Sequence, residues 1–347
     1  MSALKIHNAA ALMAGPAAPP VDFVLPGLPA GQAGLLVGAD GAGKSNLALQ
    51  FALAVACGIE VAGGLLPAPA ATGRVLYIWG EDDIDEFHRR LDAWLTVATG
   101  RGVDTRKIRA GLANLDVHPL DGERMPLMKA GRQDSEPRPT EHSSVLLEAM
   151  QGVRLTVIDP MIMFHSLSEA DNGHLDTFMR LLIRMARQSG GGSVLVVHHV
   201  GQDAMLNRRD DHQAGRAGTA LACATRAVWV LRGMGEMEEQ ETGIDPGYGR
   251  VCGGPKMSRG PKRPGVALRI TDQGVPWFDS EATEKLAVAR GEATTRKPKK
   301  RGVSEAPGDS YDGRTALPSR IVVLNETKNT KEAKEAADGE EEEWWAS

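Results

Sequence analysis

Apolar residues in this chain fall into short runs separated by longer stretches in which they recur at helical spacing. The runs Ala33 to Val37, Arg74 to Trp79, Leu155 to Ile158, Ser193 to Val197 and Ala227 to Leu231 each predict a buried strand. Between them, residues 44–56, 83–98, 142–152 and 174–188 predict helices. Strands and helices alternating in this way imply an α/β fold, a mostly parallel, twisted sheet flanked by helices. Gly249 to Cys252 and Val266 to Ile270 follow without an intervening helix, which predicts an antiparallel hairpin extending one edge of the sheet. Polar loops at 121–140, 200–213 and 232–248 interrupt the core.

The ends read differently. Residues 1–32 are rich in Ala and Pro and predict an N-terminal arm, with the apolar phrase Phe23-Val24-Leu25-Pro26 packing on a neighbouring subunit. The folded domain is expected over 33–278. From 279 to 347 the composition turns to Lys, Arg, Glu, Ser and Gly, which predicts a flexible, disordered C-terminal tail. The tail ends in Glu340 to Glu343 followed by Trp344 and Trp345, a signal for a replication partner with a basic groove and an apolar pocket.

Composition adds exclusions. Residues 279–347 carry 12 basic and 15 acidic side chains against a net charge of −5, so the remainder is close to neutral and bulk charge argues neither for nor against nucleic acid. Cys57, Cys223 and Cys252 are odd in number and lack ligand spacing, so neither a disulfide framework nor a zinc site is expected. They read as small buried apolar residues of a cytoplasmic protein. No run of eighteen apolar residues predicts a membrane span.

The chemistry begins at Gly38-Ala39-Asp40-Gly41-Ala42-Gly43-Lys44-Ser45, which fits GxxxxGK[ST] and lies between a strand and a helix. Gly38, Gly41 and Gly43 let backbone approach phosphate closely. The amides of Asp40, Ala42 and their neighbours, with the helix N-terminus, then cradle negative charge. Lys44 is placed to neutralise the β and γ phosphates and Ser45 to ligate Mg²⁺; Asn46, next along the helix, completes the expected nucleotide-binding set. ATP and Mg²⁺ are the cofactors implied.

Three further strands end in polar groups at the edge where the phosphates would lie. Leu155 to Ile158 runs into Asp159, a candidate for the Mg²⁺ shell. Val75 to Trp79 leads to Glu81, the expected catalytic base, with Asp82 or Asp83 left to cap the next helix. Val194 to Val197 leads to His198 and His199, expected to hydrogen-bond the γ phosphate and relay its loss. Adjacent strand residues point to opposite faces, which argues against the pair sharing a metal.

Asp22 to Pro26, Gly41 to Ser45, Tyr77 to Asp82, Val157 to Asp159 and Val196 to His199, in that order and spacing, resemble the plasmid RepA-type replicative DNA helicases over roughly residues 20–270. That family belongs to the RecA-like hexameric P-loop ATPases. The resemblance implies a RecA-like core and a homohexameric ring with ATP held between subunits. It assigns Glu81 as base, Asp159 to Mg²⁺ and the histidines as nucleotide sensors. It also implies a basic finger at Arg226 reaching the adjacent subunit's site, a second such contact at Lys256 or Arg259, and a loop at 201–213 whose Arg208 and Arg209 grip single-stranded DNA. A RecA-like ATPase acting as a recombination mediator, loader or regulatory assembly factor, without unwinding, would use the same site.

Overall fold

The computed structural model describes residues 4, 6–130, 136–169, 171–199, 221–257 and 263–292. A short helix α1 (Ala9–Ala14) and a hairpin of β1 (Phe23–Leu25) and β2 (Leu28–Pro29) precede the core. The core proper begins with β3 (Ala33–Gly38), α2 (Lys44–Cys57), β4 (Val75–Trp79), α3 (Ile84–Gly100), α4 (Thr105–Leu112) and β5 (Leu115–Pro119). A small ribbon of β6 (Met128–Lys129) and β7 (Arg138–Pro139) leads to α5 (Glu141–Ala149) and β8 (Leu155–Asp159). Then come β9 (His165–Ser166), which completes the ribbon, α6 (Asn172–Gln188), β10 (Ser193–His199) and β11 (Ala227–Gly233). Helix α7 (Glu236–Thr242), the strands β12 (Gly249–Met257), β13 (Arg263–Ile270) and β14 (Pro276–Phe278), and helix α8 (Ser280–Ala289) close the described chain.

The main sheet has nine strands in the order β14-β13-β12-β11-β3-β10-β8-β4-β5. From β11 to β5 all pairs are parallel, and β12, β13 and β14 add antiparallel pairs at one edge. This is the mostly parallel sheet flanked by helices, extended by antiparallel strands at one edge, that the sequence predicts. One strand, β10, separates β3, which runs into the phosphate loop, from β8, which ends in Asp159.

The buried parallel strands place alternate residues in two separate cores. Val75, Tyr77, Trp79, Leu155, Val157, Leu195 and Val197 face the core built on α2 and α3. Leu76, Ile78, Ile158, Val194 and Val196 face the core on the α5–α6 side. This parity decides on which side each strand-end side chain emerges.

Several sequence expectations need correction. The phrase Phe23 to Pro26 packs on this chain itself: Val24, Leu25 and Leu28 are fully buried in its own α2 core, because the turn at Gly27 folds the segment into a hairpin. The predicted tail boundary at 279 falls too early. Asp279 caps α8, whose Ala282 and Leu286 are buried with Ile244, Val251 and Ala267, so a third small core extends the folded unit past residue 278. The predicted polar loop 232–248 contains α7, and 121–140 contains the ribbon strands. Helix α4 and strand β5 were not anticipated; β5 is a half-exposed edge strand that lacks a continuous apolar run. Cys57 and Cys252 are buried as expected, but Cys223 is exposed. The tail signal at 340–345 lies outside the described residues.

Candidate active site

The sequence turns abruptly at the end of β3. Gly41 has φ +71° and Gly43 φ +94°, left-handed values that glycine adopts without steric cost. Gly43 caps α2 through this conformation, so the helix N-terminus starts directly at Lys44 and Ser45. Along one side of a cavity of about 770 Å³ lie Asp40, Gly41, Gly43, Lys44, Ser45 and Asn46. Positive helix-terminal charge therefore faces a space large enough for a nucleotide.

Strand parity brings the chemistry to this side. Asp159, Glu81 and His199 continue the odd-numbered positions that face the α2 core, so all three emerge beside Lys44 and Ser45. Asp159 is fully buried. Its Oδ2 accepts from Tyr77 Oη at 2.6 Å, while Oδ1 has no hydrogen-bond partner. Burial pushes the Asp159 carboxyl up to about 6 despite the Tyr77 hydrogen bond.

Ser45 Oγ lies 3.4 Å from Glu81 Oε2, and His199 Nε2 lies 3.1 Å from Glu81 Oε1. The same imidazole meets Asp40 Oδ1 through Nδ1, which is also 3.4 Å from Lys44 Nζ. His199 thus bridges the phosphate loop to Glu81. Its interaction with Glu81 holds the imidazole above its ordinary pKa and the carboxyl below the usual carboxylate range. Lys44 donates to Ala39 O at 2.8 Å, and burial lowers its pKa although Asp40, Asp159 and Glu81 oppose that shift.

The oxygen donors fit Mg²⁺. Ser45 supplies a hydroxyl and Asp159 a buried, unpartnered carboxylate oxygen, hard ligands of the kind this ion takes alongside phosphate oxygens and water. No cluster of three or more His, Cys, Asp or Glu side chains able to hold a metal occurs among the described residues.

Other candidates stand elsewhere. His198 has the opposite parity, is buried against the α5–α6 side and is pushed down to about 4 by burial. It does not line the larger phosphate cavity but a smaller adjoining cleft, which it shares with Asp40, Glu81 and His199 as well as Pro160, Ile162 and Glu169. Asn46 lines the cavity, but its amide donates to Gly274 O at 3.0 Å, fastening the β13–β14 turn beside the phosphate loop. Asp83, as the capping argument anticipated, accepts from Glu86 N and starts α3.

Arg226 and Lys256 sit together at the opposite edge of the sheet. Arg226 N bonds to Ala33 O where β11 and β3 begin, and its side chain is exposed. Lys256 pairs with Val228 across β11–β12 and donates to Ala222 O and Cys223 O. Neither reaches the phosphate loop of its own chain. Arg208, Arg209 and Arg259 lie outside the described residues.

Two contributors went unseen in the sequence. Tyr77, an inward-facing strand residue, orients Asp159. Arg250 donates from Nε to Ala42 O in the phosphate loop at 3.0 Å. Arg250 belongs to no motif, and the role of Tyr77 is not carried by the phrase it opens. Only the parity shared by Tyr77 and Asp159 on strands that prove adjacent hints at the first.

Comparison with known proteins places residues 3–205 within the family described as an AAA domain. Similar solved structures include one described as an ATPase domain, at 13% identity and TM-score 0.48 over 72% of this chain and 85% of that one. The RadB recombinase is similar at 15% identity and TM-score 0.41, covering 72% and 92%. A KaiC-like protein from Pyrococcus horikoshii OT3 is similar at 13% identity and TM-score 0.45, covering 75% and 100%. Among the described residues no helix is long and apolar enough to cross a membrane.

Proposed function

The chain belongs to the AAA-domain family, and on that premise we propose that it is an ATP-dependent DNA translocase of the RepA helicase type. At the coarser level it is a P-loop ATPase with a RecA-like core. The observation carrying the proposal is the gathering of Lys44, Ser45, Glu81, Asp159 and His199 on one edge and one face of the sheet.

Loop amides and Lys44 would hold the β and γ phosphates of ATP, and Ser45 with Asp159 would hold Mg²⁺, whose charge would offset that developing on the phosphates. Glu81, ionised at neutral pH, accepts a hydrogen bond from the attacking water and aligns it with the γ phosphorus. His199 touches the phosphate loop and Glu81 together, so loss of the γ phosphate changes the contacts on both its nitrogens.

Arg226 and Lys256, remote from their own site, act on the neighbouring subunit's ATP in a homohexameric ring. Arg208 and Arg209 hold the phosphates of single-stranded DNA in its channel. A replication protein binds the tail at 340–345.

The test is ATP hydrolysis with and without single-stranded DNA, alongside unwinding of a forked duplex. DNA-stimulated hydrolysis with strand separation is expected, and neither should occur in Glu81→Gln. DNA-stimulated hydrolysis without unwinding by the native protein would reassign it as a loader or remodelling ATPase; no hydrolysis at all would refute the enzyme. Arg226→Ala should lower turnover by about 10³-fold. Mixing it with Lys44→Ala subunits should restore part of the activity, and failure at every ratio would refute a shared site.

A further inference from the structure

Arg250, the second residue of β12, approaches the phosphate loop from behind. Its Nε donates to Ala42 O at 3.0 Å, and its Nη1 donates to Gly247 O at 2.7 Å and Gly249 O at 2.9 Å. The guanidinium is half-buried, and Glu239, the acidic group nearest it in charge interaction, is itself engaged by Gly247 N at 2.8 Å. The side chain is thus pinned at one end to the turn before β12 and at the other to the loop.

Gly41 and Gly43 line the phosphate cavity, but Ala42 between them does not and is 5% exposed. In a trans peptide the carbonyl of one residue and the N–H of the next point to opposite sides of the chain. Fixing the Ala42 carbonyl toward Arg250 therefore turns the Gly43 N–H toward the cavity. Glycines at positive φ on both sides make rotation of the peptides around Ala42 sterically cheap, so the loop sequence alone does not fix that orientation. A cation on the carbonyl also polarises the peptide and strengthens its N–H as a donor to an anion.

The geometry points to Arg250 as a positioning residue for the phosphate site: acting through the Ala42–Gly43 peptide, it holds the Gly43 N–H toward the diphosphate of a bound nucleotide. This inference rests on the ATPase reading above. Its ligand class is a nucleoside di- or triphosphate, and its effect falls on binding, because the oriented amide meets the phosphates equally before and during hydrolysis.

The experiment uses the full chain as native protein, Arg250→Ala and Arg250→Lys. It measures the Kd for ADP by equilibrium titration, kcat and KM for ATP, and melting without nucleotide. Arg250→Ala should raise both the ADP Kd and the KM about tenfold, the loss of one charge-assisted hydrogen bond, with kcat changed less than about threefold. Arg250→Lys, which keeps the cation without the Nε–H geometry, should show an intermediate rise of about threefold in Kd with native melting. An ADP Kd within twofold of native in Arg250→Ala, or a fall in kcat alone, overturns the role. Where the alanine variant fails to fold, a native Kd in Arg250→Lys overturns it instead. A native protein that binds no nucleotide would instead refute the underlying ATPase reading.

Discussion

Two buried clusters of charge in this molecule treat their ions in opposite ways. At the phosphate edge, Asp159 is raised to about 6 and Lys44 lowered because burial is not fully compensated, and Asp159 Oδ1 is left without a partner. Between α7 and α8, Glu238 is also removed from water, and burial opposes its ionisation. There, however, Arg232 Nη1 and Nη2 grip it in a fork at 2.7 and 2.8 Å, and Arg290 Nη2 adds a third hydrogen bond at 2.8 Å. Those bonds pull the Glu238 carboxyl down to about 2. A satisfied carboxylate locks elements together, whereas one left short of partners is poised to take a ligand that supplies the missing charge.

The strongest way to break this comparison is to remove charge at the phosphate edge. Lys44→Ala should abolish nucleotide binding and hydrolysis together, whereas Glu81→Gln should retain ATP and stop turnover. Titrations of nucleotide alongside steady-state rates separate the two, and normal turnover in Glu81→Gln would remove Glu81 as the base.

Exchanging the two carboxylates sharpens it further. Asp159→Asn should stop hydrolysis without lowering the melting temperature at pH 7, because it removes a buried charge whose cost is complete above the folded pKa near 6. Glu238→Ala should leave the ATP rate within a few-fold but cost about 3 kcal/mol, since it removes the carboxylate that both guanidinium groups grip. Calorimetry and ATPase assays on both variants would expose any reversal of roles.

Acid should act on the second cluster first through stability. The folded pKa of Glu238 lies below its ordinary value, so its contribution is complete above about 4.5 and disappears as pH falls through about 2. Hydrogen exchange over α8 should accelerate across that window in the native chain and not in Glu238→Gln. A smaller effect is expected at Leu286, fully buried in the third core, where Leu286→Ala should cost about 2–3 kcal/mol with the ATP rate preserved.

Much of the site was readable from order and spacing. A glycine-rich loop between a buried strand and a helix, followed by strands ending at Glu81, Asp159 and His199, announces a phosphate edge, because parallel strands put their C-terminal ends together. Helix α8 was less legible: a charged, low-aromatic stretch hides the Ala282 and Leu286 positions that pack on β13 and α7.

The sequence by itself determined the parallel α/β core, the phosphate loop and the strand-end acids, since these depend on local periodicity and on the few residue types that tolerate close phosphate approach. Tertiary structure alone decided which of two adjacent histidines meets the phosphate loop. Strand alternation guarantees opposite faces, but only the packing of α2 says which face carries the site. It likewise decided that Phe23 to Leu28 closes on its own core, that Arg226 and Lys256 stand at the far edge, and that Arg250 reaches Ala42. Each of these is a contact between residues distant in the chain, with geometry set by strand order and register rather than by any pattern within one segment.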